Sequence, residues 1–286
     1  MMSQQVLHIK GRPLVRGAGP FVFGVLNVTP DSFSDGGRYA RASEAIEAGV
    51  RMAEEGADVI DIGGESTRPG SQPVPADEQI RRTRPVIAEL ARQFGSRGPS
   101  ISVDTRLAEV ARAAVDAGAT IINDITALRD DQALAPLAAS TGVGVILMHM
   151  QGTPATMQQC PTYRNVVAEI RQFLAERIVA ATTAGIPLER LVVDPGIGFG
   201  KTTTHNLEIL RRAGEFRDLG VPVLIGPSRK RFIGEVLGIP EPIKRLYGTL
   251  AAVAACVLAG VECVRVHDVA ACRQVADLCA AIRSAG

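Results

Sequence analysis

The sequence has no excess of charge of either sign and no apolar run long enough to span a bilayer. Lys and Arg number 31 against 30 Asp and Glu in 286 residues, a formal net charge of +1. Without a general basic field, neither nucleic acid nor an acidic membrane surface is favoured as a partner. The most apolar run, LAAVAACVLAGV at 250–261, is well short of the ~20 residues that a transmembrane helix needs. We therefore expect no nucleic acid and no membrane as partner, and a small molecule as ligand.

Paired cysteines and a signal peptide are also missing. The first residues, MMSQQVLHIKGRPL, contain no charged segment followed by an apolar core, so we expect no signal peptide and a cytoplasmic protein. The cysteines form no CxxC pair, which makes a zinc or disulfide site a poor interpretation. Most of them lie in apolar, Ala-rich segments, as is typical of small buried side chains in a reducing compartment. They are Cys160, Cys256, Cys263, Cys272 and Cys279.

Four motifs of common enzyme classes are absent as well. No GxGxxG follows the first predicted strand, which argues against a dinucleotide-binding doubly wound sheet. Neither a GxSxG nucleophile elbow nor an HExxH metal motif occurs. The glycine-rich stretch DPGIGFGK at 194–201 lacks the spacing of a phosphate-binding P-loop. We interpret its glycines as tight turns that present Asp194 and Phe199, with Lys201 as a candidate cation.

One plan is repeated along the chain. Short β-branched runs alternate with Ala-, Leu-, Arg- and Glu-rich segments of helical period, which predicts βα units around a parallel sheet. About eight such units in a chain near the ~250 residues of a (β/α)₈ barrel predict a single α/β domain of that fold over residues 1–286. The alternative is an open doubly wound sheet. The predicted strands are 21–28, 58–63, 100–105, 120–125, 144–150, 191–196, 222–228 and 263–268.

Before the first of these strands, LHIKGRPLVRGAGPFVF predicts a short N-terminal hairpin laid across the bottom of the barrel. At the opposite end, nearly every predicted strand finishes on a polar side chain, and in such barrels the chemistry lies where the strands end. Any one of these side chains could instead cap a helix, and His149 could be a core histidine, but the whole set predicts a shared mouth. The set is Asn27, Asp61, Asp104, Asn123, Asp124, His149, Asp194, Ser228, Lys230, Arg265 and His267.

Two kinds of binding follow from these residue types. Asp104, Asn123 and Asp194 offer carboxylate and amide oxygens, which suit the edge of a heterocycle that carries N–H donors. Arg265 and His267 are two apart on one strand, so their side chains project to the same face. Cationic and polar groups near them predict a site for a phosphate, diphosphate or carboxylate. These are Ser228, Lys230 and Arg68.

The motifs, taken in order, resemble those of the dihydropteroate synthases from about residue 21 to about residue 270. They are GVLNVTPDSFSDGG, DIGGESTRPG, SVDT, INDI, LMHMQG, DPGIGFGK, GPSRK and RVHD. The resemblance implies a (β/α)₈ transferase of folate synthesis that joins 6-hydroxymethyl-7,8-dihydropterin diphosphate to 4-aminobenzoate. It also implies Mg²⁺ as cofactor, competition by sulfonamides, and a homodimer formed by the apolar faces of segments 243–260 and 269–283. The departures are modest, chiefly Pro227 and Arg231 in GPSRKRFIG.

The resemblance also assigns roles to matching positions. The pterin would be held by Asp104, Asn123, Asp194, Lys230 and Arg265. The diphosphate would be held by Asn27, Arg68, Arg265 and His267, and Asn27 would also be a ligand of Mg²⁺. The 4-aminobenzoate site would be formed by Thr67, Arg68, Phe199, Ser228 and Lys230. The residues implied in catalysis are Asn27, Asp35, Arg68, Asp104, Lys230 and His267.

A dissociative reaction fits this set, because loss of diphosphate from a carbon on an electron-rich pterin leaves a stabilised cation. Asp35, Thr67 and Arg68, in two Gly- and Ser-containing loops, would order over the substrates and exclude water. Two alternatives stay open. A methyltetrahydrofolate-dependent corrinoid methyltransferase has similar Asp and Asn contacts, but the stretches SFSDGG, STRPG and GPSRK favour the synthase. A pterin-binding protein without catalysis is less favoured, since Asn27 and the cationic residues are intact.

Overall fold

A computed structural model of the protein describes residues 5–10, 12–16, 19–29, 38–66 and 70–285. Ten strands are assigned in these ranges, eight of them in the segments predicted for the barrel. They are β1 Gln5–Ile9, β2 Arg12–Arg16, β3 Phe21–Asn27, β4 Val59–Gly63, β5 Ser100–Asp104, β6 Ile121–Asp124, β7 Gly144–Met148, β8 Leu191–Asp194, β9 Leu224–Ile225 and β10 Cys263–Val266.

Helices follow the barrel strands, as the alternation of the sequence predicts. They are α1 Arg38–Glu54, α2 Ala76–Phe94, α3 Ala108–Asp116, α4 Leu134–Thr141, α5 Val166–Thr183, α6 Thr203–Arg211, α7 Arg231–Leu237, α8 Leu246–Leu258 and α9 Val269–Ser284. Side-chain caps explain where two of them begin: Asn165 accepts a hydrogen bond from the Ala168 amide at α5, and Thr202 forms a capping box with His205 at α6. No helix in the described part of the chain is both long and apolar enough to cross a membrane.

The eight strands β3–β10 are parallel, in the order β8-β7-β6-β5-β4-β3-β10-β9. The first and last strands of this order meet through a parallel bridge between Val193 and Val223, where the Val193 amide donates to the Pro222 carbonyl over 2.9 Å. The predicted (β/α)₈ barrel is therefore confirmed, and the open sheet is wrong. Strand β9 is shorter than predicted because Pro222 and Pro227 have no amide hydrogen to donate to a ladder. That residues 1–286 form one domain stays a prediction.

The lower half of the barrel interior is apolar and is closed by the N-terminal hairpin. Strands β1 and β2 pair antiparallel, and Leu7 and Ile9 of β1 pack against inward-facing side chains at the start of the barrel strands. This confirms the predicted hairpin. Burial of each large side chain stabilises the fold by about 1.5–3 kcal/mol. The residues of this lower layer are Phe21, Phe23, Val59, Ile121, Ile146, Val192, Leu224 and Cys263.

Strand periodicity then determines what lines the upper half. Because side chains alternate between the two faces of a strand, residues two positions beyond an inward apolar residue also point inward. Val59 is followed by Asp61, and Cys263 by Arg265. Likewise, Ile121 of β6 is followed by Asn123, and Val192 of β8 by Asp194. On these four strands the barrel interior thus changes from apolar to polar or charged over two residues.

Candidate active site

The centre of the site is an arginine held between two carboxylates. Arg265 of β10 contacts Asp61 of β4 through Nε (2.5 Å to Oδ2) and Asp104 of β5 through Nη2 (2.8 Å to Oδ2). Asn123 of β6 donates its Nδ2 to the same Asp61 oxygen over 3.1 Å. Four strands therefore contribute to one hydrogen-bonded group at the upper end of the barrel.

Asn27 lies in the same row of the barrel as Asp104. The register pairs Asn27 with Gly63, Gly63 with Asp104, and Asp104 with Asn123. A Cβ atom at position 63 would lie 3.6 Å from both Asn27 Oδ1 and Asp104 Cβ, so this glycine leaves the space between the two side chains open. Asn27 is half-buried at the end of β3.

The other side of the pocket is formed by the ends of β8 and β9. Asp194 is 6% exposed, and its Oδ1 accepts a hydrogen bond of 2.7 Å from the Gly196 amide. Lys230, immediately before α7, has its ammonium nitrogen 4.1 Å from the centre of the Phe199 ring. A cation over an aromatic face is an attractive arrangement, and it joins two of the residues predicted for substrate binding.

Burial brings several of these groups into the neutral pH range. It raises the pKa of Asp104 to about 7, with Arg265 opposing the rise and Asp61 adding to it. It raises the pKa of Asp194 to about 6, against the hydrogen bond from Gly196 and the charge of Lys230. Burial also lowers the pKa of Lys230 to about 8. Charge in the site is therefore sensitive to pH near neutrality.

Ser228 and His267 form a second polar contact at the mouth. The Ser228 hydroxyl accepts from the His267 amide over 3.2 Å and lies 3.0 Å from His267 Nδ1. Burial, together with the charges of Arg229 and Arg265, lowers the pKa of His267 to about 3. The imidazole is consequently neutral at physiological pH.

The loop that carries Ser228 and Lys230 is held by its central residue, Arg229. Its backbone is left-handed, with φ 58°, a conformation that non-glycine residues seldom adopt. The Arg229 amide donates to Thr249 Oγ1 over 3.0 Å, and its carbonyl accepts from Arg245 Nη1, also over 3.0 Å. The Arg229 guanidinium pairs with Asp268 at 2.6 Å.

Two candidates from the sequence have structural partners instead. Lys201 is 2% exposed, and its ammonium donates to the Phe199 carbonyl at 2.8 Å and contacts His149 Nδ1 at 3.0 Å. Burial and the charge of Lys201 lower the pKa of His149 to about 2, so this histidine is neutral. The interpretation of His149 as a core histidine is the one that the structure supports.

Asp124 does not belong to the mouth, contrary to the expectation from the strand end. It is adjacent to the inward Asn123 and therefore points to the other face of β6. Its carboxylate accepts from the amides of Thr126 and Leu128, both at 2.7 Å. These bonds support left-handed backbone at Ala127 (φ 54°) and Leu128 (φ 62°) in the loop after β6.

Three residues with predicted roles, Asp35, Thr67 and Arg68, lie outside the described residues, so their roles stay predictions. The sequence predicts Asp61 at a strand end but gives it no role in the site. The pattern that could have indicated a role is its charge at an inward position of an otherwise apolar strand, VIDIG. The residues that the structure brings to one mouth are Asn27, Asp104, Asn123, Asp194, Phe199, Ser228, Lys230, Arg265 and His267.

Fold and site together define a (β/α)₈ barrel with a polar, charged mouth, the arrangement of an enzyme that acts on a small molecule. The family profile described as "Pterin binding enzyme" matches residues 23–267. Dihydropteroate synthase of Escherichia coli is 46% identical over 87% of this chain and 87% of its own length. The Synechocystis enzyme of that name is 42% identical over 93% of this chain and 91% of its own length.

Solved structures agree with these relatives. Xanthomonas albilineans dihydropteroate synthase with 4-aminobenzoic acid superposes with a TM-score of 0.88 at 46% identity, covering 95% of this chain and 96% of that one. Yersinia pestis dihydropteroate synthase with a sulfonamide drug gives a TM-score of 0.90 at 40% identity, covering 98% and 100%. The chain therefore belongs to the pterin-binding enzymes and, within them, to the dihydropteroate synthases.

Proposed function

We infer that this protein is a transferase of folate synthesis that condenses 6-hydroxymethyl-7,8-dihydropterin diphosphate with 4-aminobenzoate, giving 7,8-dihydropteroate and diphosphate. The observation that carries this inference is the convergence of Asp104, Asn123 and Arg265, from three different strands, in one hydrogen-bonded group. The relatives at 42–46% identity over most of the chain support the same activity.

The pterin ring suits the acceptors that the site leaves available. Because Asn123 donates its Nδ2 to Asp61, its carbonyl oxygen is the group presented to a ligand. Asp104 uses one carboxylate oxygen for Arg265, and Asp194 uses one for the Gly196 amide, so each retains a second oxygen. A heterocycle with ring N–H and amino donors would satisfy these three acceptors.

The 4-aminobenzoate and the diphosphate suit the groups on the opposite side of the pocket. Lys230 over Phe199 offers a cation beside an aromatic face, which favours the ring and carboxylate of 4-aminobenzoate. The neutral imidazole of His267 lies near Arg265 and favours the diphosphate, whereas the Ser228 hydroxyl, 3.0 Å from His267 Nδ1, is assigned to 4-aminobenzoate. We propose these roles together with those of Thr67 and Arg68, on which sulfonamide competition would also depend.

A magnesium ion fits the donor set at the mouth. No group of three or more His, Cys, Asp or Glu residues suited to a metal occurs among the described residues, so an ion held by protein side chains alone is not favoured. Mg²⁺ commonly takes one or two protein oxygens together with substrate phosphates and water. The half-buried amide oxygen of Asn27, beside the open space above Gly63, is a ligand of that kind. When bound, Mg²⁺ supplies neutralisation of charge on the diphosphate.

The chemistry of the site favours dissociation before attack. At the described mouth His267 is neutral and its Nδ1 contacts the Ser228 hydroxyl, whereas His149 contacts Lys201 and lies outside the residues of the mouth. An aromatic amine that attacks a pterin-stabilised cation needs little assistance from a base. Arg265 and Lys230 would stabilise the negative charge that develops on the departing diphosphate. Exclusion of water from the cation we assign to the two loops that carry Asp35, Thr67 and Arg68.

We also propose that two copies of the chain pair through the helices at the end of the sequence. Large apolar side chains are exposed there, including Tyr247 at 82%, Leu278 at 64% and Ile282 at 58%. Leu278 and Ile282 are four residues apart on one helix and so share a face, and exposed apolar faces are typical of protein–protein contacts. The buried, unpaired cysteines at positions 256, 263, 272 and 279 support a reducing compartment such as the cytoplasm.

The reaction is tested directly by supplying dihydropterin diphosphate and 4-aminobenzoate with and without Mg²⁺. We expect dihydropteroate to appear with the metal and to diminish when it is chelated. Product formation from the unphosphorylated dihydropterin alcohol at the same rate would contradict loss of diphosphate as the driving step. A protein that binds the pterin but forms no product would support the non-catalytic alternative.

A further inference from the structure

Asp61 is a buried carboxylate one layer below the pterin site proposed above. It lies in the middle of β4 with no solvent exposure, paired in register with Val25 of β3 and Ser102 of β5. The ring-facing Asp104 belongs to the next row upward. Asp61 therefore acts on a bound ring only through other residues.

The hydrogen bonding of Asp61 is one-sided. Its Oδ2 accepts from both Arg265 Nε and Asn123 Nδ2, whereas its Oδ1 is buried without a partner in the described structure. A buried charged oxygen without a partner is costly, and a neutral amide of the same shape would lower that cost. One oxygen of Asp61 thus holds two ligand-facing side chains.

Both of those side chains have an alternative that Asp61 prevents. Arg265 also pairs with Asp104 and, without Asp61, both branches of its guanidinium would be drawn to that one carboxylate. Asn123 could rotate its amide and present N–H groups to the pocket instead of its carbonyl oxygen. Either change would remove an acceptor from the ring.

We propose that Asp61 is a positioning residue for the pterin site, which holds Arg265 away from Asp104 and turns the carbonyl oxygen of Asn123 toward the ring. The inference rests on the proposed function, because it takes Asp104 and Asn123 as ring-binding residues. Asp61 does not touch substrate and takes no proton in the reaction.

The charge of Asp61 has a consequence for pH that an uncharged packing residue would lack. The groups that act on Asp104 are Arg265 of β10, Asp61 of β4, Asp124 of β6, Glu65 after β4, and Lys230 before α7. Among them Asp61 raises the pKa of Asp104, so removal of its charge lowers that pKa. If the ring binds to ionised Asp104, the acidic fall in pterin affinity moves to lower pH when Asp61 is neutralised.

The test compares three variants by calorimetry with 6-hydroxymethylpterin across the pH range. Asp61→Asn keeps the shape and removes the charge, and we expect about tenfold to hundredfold weaker binding at neutral pH. Its acidic midpoint should lie below that of the unmodified protein, and its urea midpoint should be unchanged or higher. Ser102→Ala, a matched control in the same layer, removes a hydroxyl that also has no partner in the described structure and should leave pterin affinity unaltered.

Asp104→Asn separates failure of the inference from failure of the proposed function. If it binds pterin as tightly as the unmodified protein, the ring site itself is wrong. If it loses affinity while Asp61→Asn keeps both affinity and acidic midpoint, the ring site stands and the positioning role is overturned. An Asp61→Asn protein that does not fold also overturns it, since the proposal requires the barrel to tolerate loss of the charge.

A double-variant comparison checks the route through Arg265. In an Arg265→Ala background, Asp61→Asn should weaken pterin binding by a smaller factor than it does alone. The reason is that Arg265, one of the two side chains that Asp61 holds, is already absent. Equal factors in the two backgrounds would contradict action through Arg265.

Discussion

At the amino ends of its strands the barrel interior is filled by apolar side chains such as Phe23 and Ile121, and the hairpin closes it from below. Two residues beyond Val59 and Ile121 of this layer, the interior is lined by Asp61 and Asn123. The lower layer removes apolar surface from water and stabilises the fold. The upper layer keeps charges out of water, which costs stability, and offers them to a ligand. The two layers should therefore respond oppositely to substitution.

The largest expected effect is loss of stability from the lower layer. Phe23 is fully buried among the inward residues, so Phe23→Ala should lower the free energy of unfolding by about 3–5 kcal/mol through lost burial and the cavity left behind. Urea denaturation measures this change. Val179→Ala, at a side chain that is 64% exposed, is the matched control and should have little effect. A similar loss in both variants would break the distinction between layers.

Substitutions in the upper layer should weaken ligand binding rather than lower the free energy of unfolding. Asp104→Ala removes a charged acceptor from the ring, so pterin affinity should fall by roughly 1.5–3 kcal/mol, measured by calorimetry. The urea midpoint should not fall comparably, because Arg265 retains Asp61 as a partner. The exposed carboxylate of Asp116 provides the control Asp116→Ala. Unaltered pterin affinity in the Asp104 variant would remove Asp104 from the ring site.

Stability should depend on pH in a way that only the upper layer explains. Burial raises the pKa of Asp104 from 3.8 to about 7, so the folded protein holds this proton more tightly than the unfolded chain. This contribution to stability is complete below the unfolded pKa and is lost as pH rises through the folded one. Relative to Asp104→Asn, the unmodified protein should therefore become less stable between about pH 4 and about pH 8 in urea denaturation. A constant difference would show that burial does not raise the pKa of Asp104.

The smallest expected effect lies at the rim of the mouth. Ser228→Ala removes the hydroxyl that contacts His267 Nδ1, at a cost of about 0.5–1.5 kcal/mol in kcat/KM for 4-aminobenzoate. Steady-state kinetics measures it, with Ser140→Ala on α4 as the control for loss of a hydroxyl remote from the site. If Ser228→Ala and Ser140→Ala changed kcat/KM equally, the rim would have no part in the site, which would be confined to the barrel interior.

The sequence alone determined the architecture and which residues belong to the site. β-Branched runs of period two and intervening helical segments are local patterns, and eight of them in one chain predict a barrel without any knowledge of contacts. The same local reasoning predicted that Asp104, Asn123 and Asp194 end strands and that Arg265 and His267 share a face. It failed at β9, where the two prolines shorten the strand.

Only the tertiary structure decided which of these residues are partners. Arg265 and Asp61 are 204 positions apart in sequence, and their contact depends on closure of the sheet and on the register of strands between them. For the same reason the sequence did not reveal that Lys201, a candidate cation, donates to the Phe199 carbonyl, or that Asp124, expected at the mouth, turns outward. Local sequence specifies a side chain and the face it takes, but hydrogen-bond partners across a barrel are set by the geometry of the whole sheet.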